Sequence, residues 1–335
     1  MMSDETPPPA TLYVVIPCYN ERKTLPLTLP RFSAYLKSLV DSQRIAPQSR
    51  LVLVDDGSKD DTWSMIADAS REGTAVVGVR LSRNFGHQGA LLAGLMEARE
   101  HCDIAVSADA DGQDDIEVMG AMVDAYLEGH DIVYGVRSCR DSDRPFKRFS
   151  ARAFYKIMNA LGAQTVEDHA DYRLLSKRAL DALAQFDETN LFLRGIVPLI
   201  GLPSTTVPYV RNERLGGESH YRLSNMVDLA LTGITGLSAK PLRFVFLLGT
   251  IVSLASLIGI AYSLVAFLTR NSVDGWTSIV SIVCFLGGMQ MLCLGIIGEY
   301  VGKAYMESKH RPRYIVSETT DERQRRGRER NACSS

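Results

Sequence analysis

From residue 244 to residue 268 the chain runs for 25 residues with no charge and no proline. Residues 275–298 form a second such stretch, in which Gln290 is the one strongly polar member. At ~1.5 Å per residue the first is ~37 Å long as a helix, enough for a ~30 Å hydrocarbon core with some tilt. A pair of buried core helices is the alternative, but soluble helices seldom stay uncharged for so long. Between the stretches lies a short link, Thr269 to Trp276, with one Arg and one Asp. Lys240 and Arg243 precede them, and Lys303, Lys309, Arg311 and Arg313 follow. That excess of Lys and Arg places both outer flanks in the cytoplasm. The expected arrangement is a transmembrane hairpin, residues 243–300, its loop facing the far side. Gly249, Ser253, Gly259 and Ser263 supply small residues suited to close helix contact.

The rest of the 335 residues is not membrane-like. With 37 basic and 39 acidic side chains the formal charge is −2, which argues against a nucleic-acid binder. The six cysteines form no Cys-x-x-Cys pair, so neither a disulfide framework nor a zinc module is expected. Residues 1–10 are acidic and then proline-rich, without a basic or apolar leader, and are expected to be a disordered tail. Most of the chain is therefore expected in the cytosol.

Residues 11–222 alternate between two periodicities and form the expected catalytic domain. Strands are predicted at Leu12–Ile16, Leu51–Val54, Ala75–Leu81, Ile104–Ala108 and Ile132–Val136, and helices at Leu25–Leu39, Thr62–Ser70, Gln88–Glu100 and Ile116–Leu127. This order predicts an α/β fold with a mostly parallel sheet and helices on both faces. Ligands of such sheets bind at the carboxyl ends of strands, and here the polar clusters follow strands. Residues 223–242 have near-helical apolar spacing up to Pro241 and read as an amphipathic juxtamembrane segment, or as an ordinary half-buried helix. Residues 301–335 read as a cytoplasmic segment and basic tail, either solvated or touching anionic lipid.

Three clusters carry chemistry. Asp109-Ala110-Asp111 follows a strand, with Gln113, Asp114 and Asp115 behind it. Two carboxylates one residue apart point to opposite faces of an extended chain, so the backbone must turn for both to reach one ion. Hard oxygen ligands suit Mg²⁺ or Mn²⁺ together with substrate phosphates. Asp55-Asp56-Gly57-Ser58 can bind a base or ribose, or open a helix with Ser58 or Asp60 as cap, or do both. Pro17-Cys18-Tyr19-Asn20-Glu21 makes a rigid turn and a polar shelf.

In this order, and with Arg83-Asn84-Phe85-Gly86, Asp171-Tyr172-Arg173-Leu174, Gly216-Gly217-Glu218-Ser219, Gly298-Glu299-Tyr300-Val301-Gly302 and Arg311-Pro312-Arg313-Tyr314, the chain resembles the inverting family 2 glycosyltransferases of GT-A fold. Among them it is similar to the polyprenyl-phosphate transferases: bactoprenol glucosyltransferases of the GtrB type, dolichol-phosphate mannose synthase and the aminoarabinose transferase. The resemblance covers about 12–316. It implies hexose transfer, glucose or N-acetylglucosamine favoured, from a nucleotide sugar (a UDP-sugar favoured) to polyprenyl phosphate, for cell-envelope glycan modification. It also implies a multi-pass homo-oligomer in the bacterial inner membrane with both termini cytoplasmic.

The resemblance further implies roles. Pro17, Tyr19, Asn20, Glu21, Asp55, Asp56, Asn84, Asp109, Ala110, Arg137, Arg214 and Ser219 would line the donor. Asp111, with Gln113 and Asp109, would hold Mg²⁺ or Mn²⁺, and Asp171 would act near the reacting sugar unless it is a helix-start or salt-bridged structural residue. Arg148, Arg173 and Arg214 would meet the acceptor phosphate. His220 stands near where relatives often carry lysine, and Asp114-Asp115 where Asp-Pro is common. A processive polysaccharide synthase is the alternative enzyme, but neither Trp63 nor Trp276 lies in its Gln-x-x-Arg-Trp motif. A non-catalytic membrane scaffold on the same fold is the other; intact Asp109, Asp111 and Asp171 argue against it.

Overall fold

A computed structural model describes residues 8–71, 75–137, 169–188, 192–210, 245–252 and 275–320, with a few further positions between 242 and 265. These fall in two compact units. Met1–Arg152, Thr165–Tyr221 and Pro312–Ser335 make the first, Ala153–Gln164 and Arg222–Arg311 the second.

The first unit is built on one sheet. β1 (Leu12–Cys18), β2 (Arg50–Asp55), β3 (Val76–Leu81) and β4 (Ile104–Ser107) pair in parallel in the order β4-β1-β2-β3. The intervening helices are α1 (Leu25–Asp41), α2 (Thr62–Arg71) and α3 (His87–Arg99), followed by α4 (Val118–Leu127) and β5 (Ile132–Arg137). All of these were expected, and their ends move by one or two residues. The alternating strand residues explain why. Val14 and Ile16 point into one buried cluster with Phe32, Ile66 and Met119. Val15, Val52 and Val54 point into the other with Leu91 and Leu92. Each buried Val or Leu contributes roughly 1.5–3 kcal/mol, so a register slip would exchange both cores at once. α3 lies very close on the sheet: a Cβ at Gly94 would stand 2.4 Å from Val15 Cγ1 and 2.6 Å from Val54 Cγ2.

Beyond β5 come β6 (His169–Ser176), α5 (Lys177–Leu183), α6 (Leu193–Leu199) and β7 (Ser204–Tyr209). β6 inserts antiparallel between β4 and β5, and with a last strand β8 (Val316–Thr319) the sheet order is β7-β5-β6-β4-β1-β2-β3-β8. The Ser176 side chain accepts from Ala179 N at 3.1 Å and caps α5.

The last strand, β8 (Val316–Thr319), lies within the expected C-terminal segment 301–335, of which residues 321–335 lie outside the described residues. It pairs antiparallel with β3 at the sheet edge. Thr320 Oγ1 accepts from Gly78 N and from Ser70 Oγ, both at 2.9 Å. The sequence Val-Ser-Glu-Thr has too little apolar character to announce a strand; its partner does that. Thr320→Val leaves the Gly78 amide without its acceptor and should cost about 1–3 kcal/mol. A thermal melt of the full chain reads this as a lowered midpoint, and an unchanged midpoint would contradict the anchoring role.

In the second unit, α7 (Trp276–Ser308) is 33 residues long. Its stretch Phe285–Ser308 contains 18 residues with a mean hydropathy of 1.3 and, among the described residues, is the one span long and apolar enough to cross a membrane. The expected span of 275–298 thus lies in a helix that continues ten residues further, with Lys303 paired to Glu299 at 3.6 Å. Of the stretch 244–268, residues 245–252 are helical and much of the rest lies outside the described residues. So do most of the expected juxtamembrane segment, and Met1–Pro7 of the N-terminal tail.

Candidate active site

Because β1, β2, β3 and β4 run parallel, their carboxyl ends open on one side of the sheet. β6 runs the other way, so its beginning lies beside the end of β4, with Ser107 opposite Arg173. This brings Asp171 to Asp109, 62 positions earlier in the chain.

The loop after β1 is tied to that after β2. Asn20, at φ +56°, donates its N–H to Ser58 Oγ at 2.9 Å, and its Oδ1 accepts from Lys59 N at 2.9 Å. Glu21 N donates to Thr62 Oγ1 at 2.9 Å. Pro17 is buried within β1, whereas Tyr19 is 41% exposed at the rim. The loops after β2 and β3 also meet. Asp56 accepts from Phe85 N at 2.7 Å and from Gly86 N at 2.9 Å. Both its oxygens thus hold the Asn84 loop. Gly57 makes the approach possible: at φ +66° its Cβ would lie 2.5 Å from the Arg83 carbonyl carbon. Asp55 is fully buried, takes Ser58 N at 3.2 Å and has Arg80 Nε at 3.6 Å, yet its Oδ2 has no hydrogen-bond donor. Asn84 is exposed, its Oδ1 accepting from Gly86 N at 3.1 Å.

After β4 the chain turns at Ala110 and Asp111 and continues through Gly112 at φ +71°. Asp111 is buried and its Oδ1 accepts from Gln113 N at 3.0 Å. Asp109 and Asp111 are separated by the buried Ala110. Burial raises the pKa of Asp109; His87 opposes this, and the Asp171 and Asp111 charges add to it. Among the described residues no three His, Cys, Asp or Glu side chains form a ready cage. A hard divalent ion that keeps its waters and binds substrate phosphates needs only one or two carboxylates. This crowded pair fits such an ion.

Asp171 is the centre of the site. Its Oδ1 accepts from Arg173 Nη2 at 2.6 Å and Arg194 Nε at 3.1 Å. Its Oδ2 accepts from Arg194 Nη2 at 2.8 Å and Gln88 Nε2 at 3.4 Å. His87 Nε2 lies between Asp171 Oδ2 at 3.5 Å and Asp109 Oδ1 at 3.7 Å. Ser107 Oγ donates to the Asp171 carbonyl. Burial alone would raise the Asp171 pKa, but His87, Arg194 and Arg173 together hold it well below the usual carboxylate range. For His87, burial works against the charge, and the Asp171 and Asp109 carboxylates outweigh it.

Arg173 was expected at the acceptor phosphate. Its side chain is 1% exposed and also donates to the Leu193 carbonyl at 3.2 Å, so it is a buried partner of Asp171 instead. Arg137, expected near phosphate oxygens, donates to Tyr209 Oη at 3.4 Å. Tyr209 in turn donates to Asp114 Oδ1 at 2.8 Å, and burial with the nearby Asp109 charge raises the Asp114 pKa to about 6. Arg148, Arg214, Ser219 and His220 lie outside the described residues. His87, Gln88 and Arg194 were not anticipated. The first two directly follow the Arg83–Gly86 marker, which was a usable signal. Arg194 lies in an apolar run, Leu191 to Val197, with nothing local to point to Asp171. A depression of about 580 Å³ lined by Asp131, Lys177 and Asp181 opens at the other end of β5 and β6, away from these carboxylates.

The comparisons with known proteins agree along the chain. The model of glycosyl transferase family 2 matches residues 13–184, and that of the GtrB C-terminal hairpin matches 240–304. An uncharacterized glycosyltransferase of Bacillus subtilis, YkoT, is 43% identical over 305 residues, covering 91% of this chain and 90% of that protein. The bactoprenol glucosyl transferase of Shigella phage SfV is 36% identical over 306 residues, covering 90% of this chain and 97% of that one. Among solved structures, glucosyl-3-phosphoglycerate synthase from Mycobacterium tuberculosis aligns at 20% identity and a TM-score of 0.45, over 69% of this chain and 78% of that one.

Proposed function

The chain belongs to glycosyl transferase family 2, and on that premise we propose that it transfers glucose from a UDP-sugar to a polyprenyl phosphate at the cytoplasmic face of a membrane. The observation that carries this reading is the union, in one chain, of the family 2 module with the GtrB hairpin, over nearly the full length of a bactoprenol glucosyl transferase. The site supports it. Asp55, with an unsatisfied buried oxygen, suits the base or ribose of the donor. Asp111 and Asp109, with Gln113, would hold Mg²⁺ or Mn²⁺, which supplies charge neutralisation on the donor diphosphate when bound. A phosphate acceptor is already anionic at neutral pH and needs no strong base. The larger task for the chain's own residues is to offset repulsion between anions, which suits a site rich in arginine. The test is transfer of labelled glucose from UDP-glucose to undecaprenyl phosphate by detergent-purified protein, read in the organic phase. Absence of lipid product with Mg²⁺ and with Mn²⁺ would count against the reading.

The path of the chain supports a hairpin. β8 follows α7 in sequence but pairs with β3, which precedes the whole apolar region. A chain that folds into one sheet from both sides of that region crosses a membrane an even number of times. Both termini then lie with the catalytic module, on the side the flanking Lys and Arg favour. Maleimide that cannot cross the membrane should label a Ser272→Cys variant from outside and leave Cys333 unlabelled; labelling of Cys333 in intact cells would overturn this topology.

A further inference from the structure

Asp171 has no acceptor capacity left. A carboxylate offers about four lone-pair sites. Here they meet Arg173 Nη2, Arg194 Nε, Arg194 Nη2 and Gln88 Nε2, with His87 close by. In this state it can neither bind a sugar hydroxyl nor face developing positive charge without losing a donor.

The donors are not equally held. Arg173 is 1% exposed and pinned to the Leu193 carbonyl. Gln88 is fixed from behind, its Oε1 accepting from Leu193 N at 3.1 Å. Arg194 follows Leu193 at the start of α6, and a third of its side chain, 32%, faces solvent. It therefore holds half of the Asp171 sites from the open side of the cluster. Its planar fork matches a phosphate as well as it matches a carboxylate.

The geometry points to Arg194 as a positioning residue that exchanges partners: an incoming substrate phosphate takes its guanidinium and thereby uncovers Asp171. Arrival of the anion and exposure of the carboxylate then become one event, and the site is not open to water with Asp171 bare. The inference rests on the transferase reading for the identity of the phosphate. The exchange itself requires only an oxyanion that competes with Asp171. Charge neutrality favours it, because Arg173 stays behind to balance the uncovered carboxylate.

The test is a binding cycle on the full chain in detergent at fixed salt, using citronellyl phosphate as acceptor probe and UDP as donor probe. Arg194→Gln should weaken one of these probes about tenfold or more, because it removes a charge-assisted bond. Asp171→Asn should tighten the same probe, because it removes the competitor. The double variant should match Arg194→Gln. Arg194→Lys should retain part of the affinity, since it keeps the charge and loses the fork. An effect confined to citronellyl phosphate assigns the exchange to the acceptor, and one confined to UDP assigns it to the donor diphosphate. If Arg194→Gln leaves both probes unchanged, or if Asp171→Asn weakens the probe as Arg194→Gln does, partner exchange is overturned. Should Asp171→Asn fail to fold, Asp171→Ser takes its place as the variant without the competing carboxylate, and the same tightening is expected of it. A parent protein without lipid glucosylation would remove the functional reading and leave this cycle to be judged separately.

Discussion

Asp111→Ala is expected to lower turnover at least ~100-fold, a loss of about 2.7 kcal/mol of transition-state stabilisation. Asp111 is the more enclosed of the two carboxylates after β4, and it lies in a cluster where Asp109 and Asp171 already crowd negative charge. A divalent ion would relieve that crowding and neutralise the leaving diphosphate. Asp111 has a structural duty as well, since its Oδ1 accepts from Gln113 N at 3.0 Å and fixes the turn. Asp111→Asn separates the two duties: it keeps an acceptor for that amide and loses the charge. The Asn variant should melt near the parent and still lose most of its rate. Excess EDTA should imitate it in the parent, with Mg²⁺ or Mn²⁺ restoring activity. Full turnover in EDTA would dispose of the metal assignment.

The parts of this site that could be read from the sequence are those whose signal is local. β1, β2 and β4 are short apolar runs that end in Cys-Tyr-Asn-Glu, Asp-Asp-Gly-Ser and Asp-Ala-Asp, and a parallel sheet places such ends together. What could not be read depends on pairing between distant segments. Arg173 was placed at the acceptor phosphate by the resemblance, and nothing in its local sequence argued otherwise. Only the antiparallel insertion of β6 against Ser107 shows that it is covered. Arg194 is brought to Asp171 by α6, whose start is held by Gln88 and Arg173 through the Leu193 backbone. The same is true of β8, whose polar residues become a strand because β3 lacks a partner on that edge. Asp56 illustrates a third case. Its motif does not tell which of two adjacent carboxylates ties the loop after β3; the Phe85 and Gly86 amides, brought there by the sheet, take both oxygens of Asp56.

Asp171→Asn is expected to lower kcat ~100-fold or more without any loss of UDP affinity. The substitution preserves shape and removes the charge that balances two guanidiniums. It should also destabilise the fold, because Arg173 is fully buried and loses its counter-ion; breaking such a pair costs about 3–5 kcal/mol. Kinetics must therefore be taken at a temperature where the variant is shown to be folded. The sign of the pH dependence separates the charge from the shape. The folded-state pKa of Asp171 is held well below its ordinary value, so its stabilisation is fully present above the unfolded value of about 3.9. It is lost as pH falls through the lower folded value. The parent should lose this contribution in acid, and the Asn variant has none to lose, so the stability gap between them should narrow below about pH 4. Between neutral pH and pH 5 Asp171 stays ionised, and any change in kcat over that range belongs to another group. A folded Asn variant with parent-like turnover would remove Asp171 from the chemistry and leave it as an anchor for Arg173 and Arg194. A variant that lost UDP affinity as steeply as turnover would place the carboxylate at the donor nucleotide rather than at the reacting sugar.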